Sequence, residues 1–222
     1  RFHFQVLATP FRMYAEGMIC PIFEEFESSR QLMACDIEDA GARRAIMATD
    51  AFGELFAREW HDAGAVSTFN RDLDALHVEH CPVGEWQGET FGAIHRRLRE
   101  YQAGDTAVAR SPAEAEALAS FPNPVGRESA LLLHLARRYD RDLRWWFTVA
   151  NDRPEVLEQL LFHPHMLPGF NDSGAHLINL AFFDGNLLTL QVAQRRSLQQ
   201  VARAVRRLTR EPAEFFGVDA GR

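Results

Sequence analysis

From residue 144 onward the chain changes rhythm, and this change constrains its fold more than any other feature. "RWWFTVA" (144–150) is aromatic and β-branched, as strands prefer. "NDRPEVLEQLLF" (151–162) then offers Asp152 as an N-cap, Glu155 three residues on, and an apolar stripe of Val156, Leu157, Leu160 and Leu161. "MLPGF" (166–170) reads as the next, very short strand, followed by the loop "NDSGAH" (171–176). Strand, loop, helix, strand, loop is the pattern of parallel β/α units. Further on, Ser197 with Gln200 predicts a capped helix whose Leu198, Val201, Val205 and Leu208 recur at helical spacing. Pro212 opens a last short helical turn, which Gly217 closes.

The earlier part of the chain reads differently. "FHFQVLA" (2–8) is short, apolar and bounded by Pro10, as a buried strand would be. From about residue 21 to 143 the pattern is mostly helical. Asp36 is a candidate cap for a segment with Phe52, Leu55 and Phe56 on one face, and Ser111-Pro112 with Glu114 reads as a capping box with proline in the first turn. "FPNPVG" (121–126) is a loop, and the apolar-faced helix after it carries His134, read as a core or boundary histidine.

Composition removes several function classes. The 222 residues are 46% hydrophobic with 17 Phe, ample for a packed core. A formal charge of -7 argues against nucleic acid as the main partner. The Arg-rich face of "ARAVRRLTR" (202–210) is accordingly read as a solvated helix face. All 24 basic residues are Arg, so no lysine in this stretch can form a Schiff base or bridge two metals. Cys20, Cys35 and Cys81 lie far apart and are read as buried thiols, neither a disulfide framework nor a zinc site. No apolar run approaches the roughly 18 residues of a membrane span and no signal-peptide layout opens the chain, so the expected compartment is cytoplasmic.

The chemistry-bearing candidate is Asp172 in "GFNDSGAHL" (169–177). Active sites of parallel α/β proteins form past the carboxyl ends of strands, which is where this aspartate is expected. Ser173, Gly174 and Ala175 are small enough for close approach by a ligand or metal, and His176 could return to the same mouth. Asp followed by Ser-Gly is equally an ordinary turn or helix cap. His163 and His165 in "HPH" have metal-pair spacing but stand at the opposite, amino end of the expected strand. His77 and His80 in "HVEH" could chelate from one helix face, although they read better as exposed loop histidines.

"GFNDSGAHL" followed by "AVRRLTREPAEFFGVDAGR" (204–222) resembles the late barrel segment of metal-dependent amidohydrolases of the D-aminoacylase (N-acyl-D-amino-acid deacylase) type. The pattern there is S-D-A-G-A-H, then A-V-x-x-L-T-x-x-P-A-x-x-x-G. "TPFRMYAEGMICPIFEEF" (9–26) and "VANDRPEVLEQLLFHP" (149–164) also resemble their counterparts in that family. The resemblance implies an α/β fold in which residues 1–222 form the C-terminal part of a (β/α)8 TIM barrel. It would comprise late strands only, with 21–143 a large helical insertion and 144–222 the last β/α units. It implies hydrolysis of a linear small-molecule amide, such as an N-acyl amino acid, with Asp172 binding zinc or exchanging the proton of the attacking water. Gly174 and His176 match the motif and would shape the mouth with Ser173; Asn171 and Ser173 depart from its usual Ser and Ala. The family's early H-x-H pair would belong to strands preceding Arg1, so the zinc site is expected to be incomplete here and the chain inactive alone. A missing N-terminal barrel half or a second copy are the expected macromolecular partners. The competing expectation is a non-catalytic helical binding module that retains a barrel remnant.

Overall fold

A computed structural model describes residues 3–62, 64, 71–171, 182 and 184–219. It is mixed α/β, with small sheets and helices predominating. The strands are β1 (Phe4–Val6), β2 (Phe11–Glu16), β3 (His77–His80), β4 (Arg144–Ala150) and β5 (Met166–Pro168). The helices are α1 (Arg30–Met33), α2 (Ala40–Met47), α3 (Asp50–Trp60), α4 (Phe91–Gln102), α5 (Pro112–Ala119), α6 (Glu128–Tyr139), α7 (Pro154–Leu161), α8 (Gly185–Gln194), α9 (Leu198–Leu208) and α10 (Arg210–Phe216). Two compact units result, one from residues 1–12 with 148–222 and the other from 13–147.

In the first unit, β1 and β5 pair in parallel, with Phe4 opposite Met166, Gln5 opposite Leu167 and Val6 opposite Pro168. The short apolar runs form strands because both are covered. Val6 and Ala8 are buried with Leu157 and Leu161 of α7, and Leu160, Phe162, Met166, Leu188 and Val192 pack around them. The apolar stripe of 151–162 therefore covers the sheet, but its cap differs from the expected one. Arg153 takes the cap position with Pro154 following it, and no side-chain cap forms. Asp152 instead lies exposed, 3.9 Å from the Arg153 guanidinium.

A three-stranded sheet has the order β2-β4-β3, and β3 runs antiparallel to β4. β4 and β5 belong to different sheets, so the parallel β/α pattern read from residue 144 onward does not form one sheet, and among the described residues no closed barrel forms. The reason lies in the side chains of β4. Trp145 and Phe147 point into an aromatic core, Trp145 within 6.2 Å of Phe23 and 5.6 Å of Phe91. The Trp145 indole N–H also donates to the Gly17 carbonyl. Both of these anchors belong to the 13–147 unit.

That unit is otherwise helical. Asp36 does not cap the segment carrying Phe52. Its carboxylate accepts from the Glu38 amide, a local turn, while Asp39 caps α2 and Thr49 caps α3. Two short helices replace one because Thr49 supplies a second cap between them. Phe52 and Phe56 are buried as their spacing predicts, and Leu55 is half-buried. Ser111 accepts from the Glu114 amide with Pro112 in the first turn. The Glu114 carboxylate is fully buried and receives bonds from Trp86 Nε1, the Arg97 guanidinium and the Arg110 amide. Cys20 and Cys81 are buried free thiols, pushed up by burial to about 12 and about 11 respectively, while Cys35 is half-buried.

Candidate active site

The polypeptide leaves the carboxyl end of β5 through Gly169, whose φ of +112° is one that residues with a Cβ rarely adopt. A Cβ there would also stand 3.5 Å from Asn186 Oδ1 on α8. The Phe170 amide then donates to the Val6 carbonyl, extending the parallel pairing by one bond and delivering Asn171 past the strand end. The next residue in sequence is Asp172. Asp172, Ser173, Gly174 and His176 lie outside the described residues.

At the same end, β1 exits through the buried Leu7 and Ala8 to Thr9. The Asn151 carboxamide, on a residue with φ of +60°, donates to the Thr9 carbonyl at 3.4 Å. Phe11 and Phe182 meet edge to face with centroids 5.4 Å apart. Asn151, Asn171 and Asn186 are neutral and can hold a polar ligand by hydrogen bonds. They cannot exchange a proton at neutral pH.

The histidines singled out in the sequence disperse. His163 and His165 are exposed at the amino end of β5, with ring centroids 5.6 Å apart. His77 and His80 lie on strand β3 and not on a helix face, opposite Trp146 and Arg144 respectively, with the register shifting between Val78 and His80. The His77 ring stacks on Trp146 at 4.3 Å, so pairing with β4 outweighs any helical preference of this segment. His134 bonds to the Ser120 hydroxyl and packs on Phe121. Burial, with Arg138 and Arg137 adding to it, pushes its imidazole down to about 4. Among the described residues no group of three or more His, Cys, Asp or Glu is placed to hold a metal ion.

Arg207, read as part of a solvated face, is 2% exposed. Its guanidinium donates to the carbonyls of Leu161, His163 and Met166 and pairs with Glu211. The face of α9 that packs on its neighbours runs through Ala204 and Arg207, leaving Leu198 86% and Val205 47% exposed. Its carbonyl partners lie more than forty residues away along the chain, so no local signal marks the contact.

Comparison with known proteins finds similarity to an uncharacterized protein of Mycobacterium bovis and to uncharacterized proteins of two strains of Mycobacterium tuberculosis. Each is 32% identical over 224 residues, a match that takes in 98% of this chain and 32% of the relative. The chain thus spans about a third of the length of these relatives. No protein-family model matches the chain, and no solved structure does. Among the described residues, no helix is long and apolar enough to cross a membrane.

Proposed function

We propose that this chain is a portion of a metal-dependent amidohydrolase of the D-aminoacylase type, cytoplasmic, hydrolysing a linear amide such as an N-acyl amino acid. In this reading β1 and β5 are strands of a partial (β/α)8 barrel. The observation that carries it is where the motif begins: Asn171, which opens "NDSGAH", stands three residues past the carboxyl end of a strand that has a parallel neighbour. Barrel enzymes draw their catalytic side chains from that address.

Asp172 supplies what the neighbouring carboxamides lack. A carboxylate there accepts a proton from the attacking oxygen and returns it to the departing amine, so one group serves both halves of amide cleavage. Ser173, Gly174 and His176 shape the mouth around it. Zinc, when bound, activates water and polarises the carbonyl. The described residues do not by themselves furnish three ligands of the usual kinds.

The reading is tested with the protein expressed from its whole gene, incubated with a panel of N-acyl-D- and N-acyl-L-amino acids while free amine is measured. Amine release that stops on chelation and returns with added zinc is expected. Hydrolysis of no member of the panel by the zinc-loaded protein would contradict the reading.

A further inference from the structure

A cavity of about 600 Å³ opens at the amino end of β5, the end opposite Asn171, against α9 and α10. Its walls include His3, Leu167, Arg203, Arg206, Arg207 and Phe215. The size suits a small organic molecule. Its electrostatics are lopsided. Arg206 and Arg207 share the single carboxylate of Glu211 at 3.4 and 3.2 Å, and Arg210 holds Glu214 at 2.6 Å. Arg203 donates one N–H to the Phe162 carbonyl at 2.7 Å and lies over the Phe162 ring. Three guanidiniums, Arg203, Arg206 and Arg207, thus line the opening against the carboxylates of Glu211 and Glu214, the latter held by Arg210, leaving positive charge in excess around it.

The arginines have different duties. Arg207 is buried and its donors are committed to three carbonyls, so it forms a fixed wall. Burial lowers its pKa, Glu211 opposes that shift, and the charge of Arg203 adds to it, so a negative charge nearby would relieve it. Arg203 and Arg206 are exposed and carry further N–H donors toward the opening. Beside them Phe215 meets the His3 ring edge to face with centroids 4.9 Å apart, and His3 Nδ1 is shut off from solvent with no hydrogen-bond partner among the described residues. Guanidinium forks next to an aromatic wall recognise the planar oxygens of a carboxylate or phosphate attached to an apolar body.

We propose that this cleft binds a small organic anion, its carboxylate or phosphate group held by Arg203 and Arg206 and its apolar part lying against Phe215 and Leu167. The site is independent of the amidohydrolase reading.

Calorimetric titration of the whole protein with phenyl phosphate, benzoate and inorganic phosphate at fixed ionic strength tests it. Saturable one-to-one binding of phenyl phosphate or benzoate is expected, the stronger of the two identifying the charged group. Arg203→Ala should weaken it about tenfold or more, the effect of losing a charge-assisted bond. Phe215→Ala should weaken the aromatic anions while leaving inorganic phosphate unchanged. Both side chains are exposed, so loss of binding in these variants is not loss of fold, which far-ultraviolet circular dichroism checks. Absence of saturable binding by the wild type, or wild-type affinity in both Arg203→Ala and Arg203→Ala/Arg206→Ala, would overturn the proposal.

Discussion

Val6 and Pro168 face each other at the last paired position of two parallel strands drawn from opposite ends of the sequence. The Phe170 amide closes the register by bonding to the Val6 carbonyl. This pairing brings the exit of β1 beside Phe170, two residues before Asp172 in sequence.

Gly169→Ala should disturb that delivery. At φ of +112° a Cβ is strained whatever the space, and the neighbouring Asn186 Oδ1 stands at ordinary contact distance, so the cost comes from the backbone. A loss of about 1–3 kcal/mol in urea denaturation is expected, with a fall in any hydrolytic rate that depends on where Asp172 is presented. Unchanged stability would mean that the turn relaxes freely.

His134 should make the fold sensitive to mild acid. Its folded-state pKa of about 4 lies below the value of about 6.5 for an unfolded histidine, so the folded form binds fewer protons between those limits. Its contribution is complete above about pH 6.5 and is lost as the pH falls toward about 4. His134→Gln keeps a polar partner for Ser120 and removes the titration. Its plot of unfolding free energy against pH should be flatter in this window than the wild type's, and coincident slopes would contradict the assignment.

Arg43 and Asp140 form an ion pair that is 2% and 7% exposed, with two donors on the carboxylate at 2.9 and 2.6 Å. Arg43 also donates to the carbonyls of Asp36 and Ile37. Arg43→Met leaves a buried charge unpaired and should cost about 3–5 kcal/mol. Adding Asp140→Asn to that variant should recover part of the loss, because the orphaned charge disappears. Strict additivity in a double-mutant cycle would show that the two groups act separately.

The elements that could be read from sequence were those whose cause is local. Ser111, Ser197 and Gly217 mark helix ends through bonds and backbone angles within a few residues, and α7 buries the stripe its spacing announces. The failures have non-local causes. "HVEH" becomes a strand because β4 lies beside it, and β4 leaves the expected parallel sheet because Trp145 finds its partners in Gly17, Phe23 and Phe91. Arg207 is buried because three carbonyls at the turn before β5 need a donor, and nothing in its neighbours along the chain announces them. Of the candidate site, the strand that leads to it was legible. The identity of its parallel partner, β1, depends on a pairing between distant segments.

Zinc affinity should separate the chain from the enzyme of which it is proposed to be a part. Asp172 and His176 together fall short of the three protein ligands of a catalytic zinc. Residues 1–222 alone should bind zinc weakly in calorimetry, and His163→Ala/His165→Ala should leave that weak binding unchanged. Tight stoichiometric binding abolished by this double substitution would transfer the metal site to the amino end of β5.

The most direct test of the central claim is the turnover of Asp172→Asn in the protein expressed from its whole gene, with an N-acyl amino acid that the wild type hydrolyses. Asparagine keeps the shape of the side chain and removes its basicity, so kcat should fall by about two orders of magnitude or more while the melting temperature stays near that of the wild type. A variant that turns over at the wild-type rate would show that Asp172 is an ordinary turn residue and that its carboxylate takes no part in amide hydrolysis.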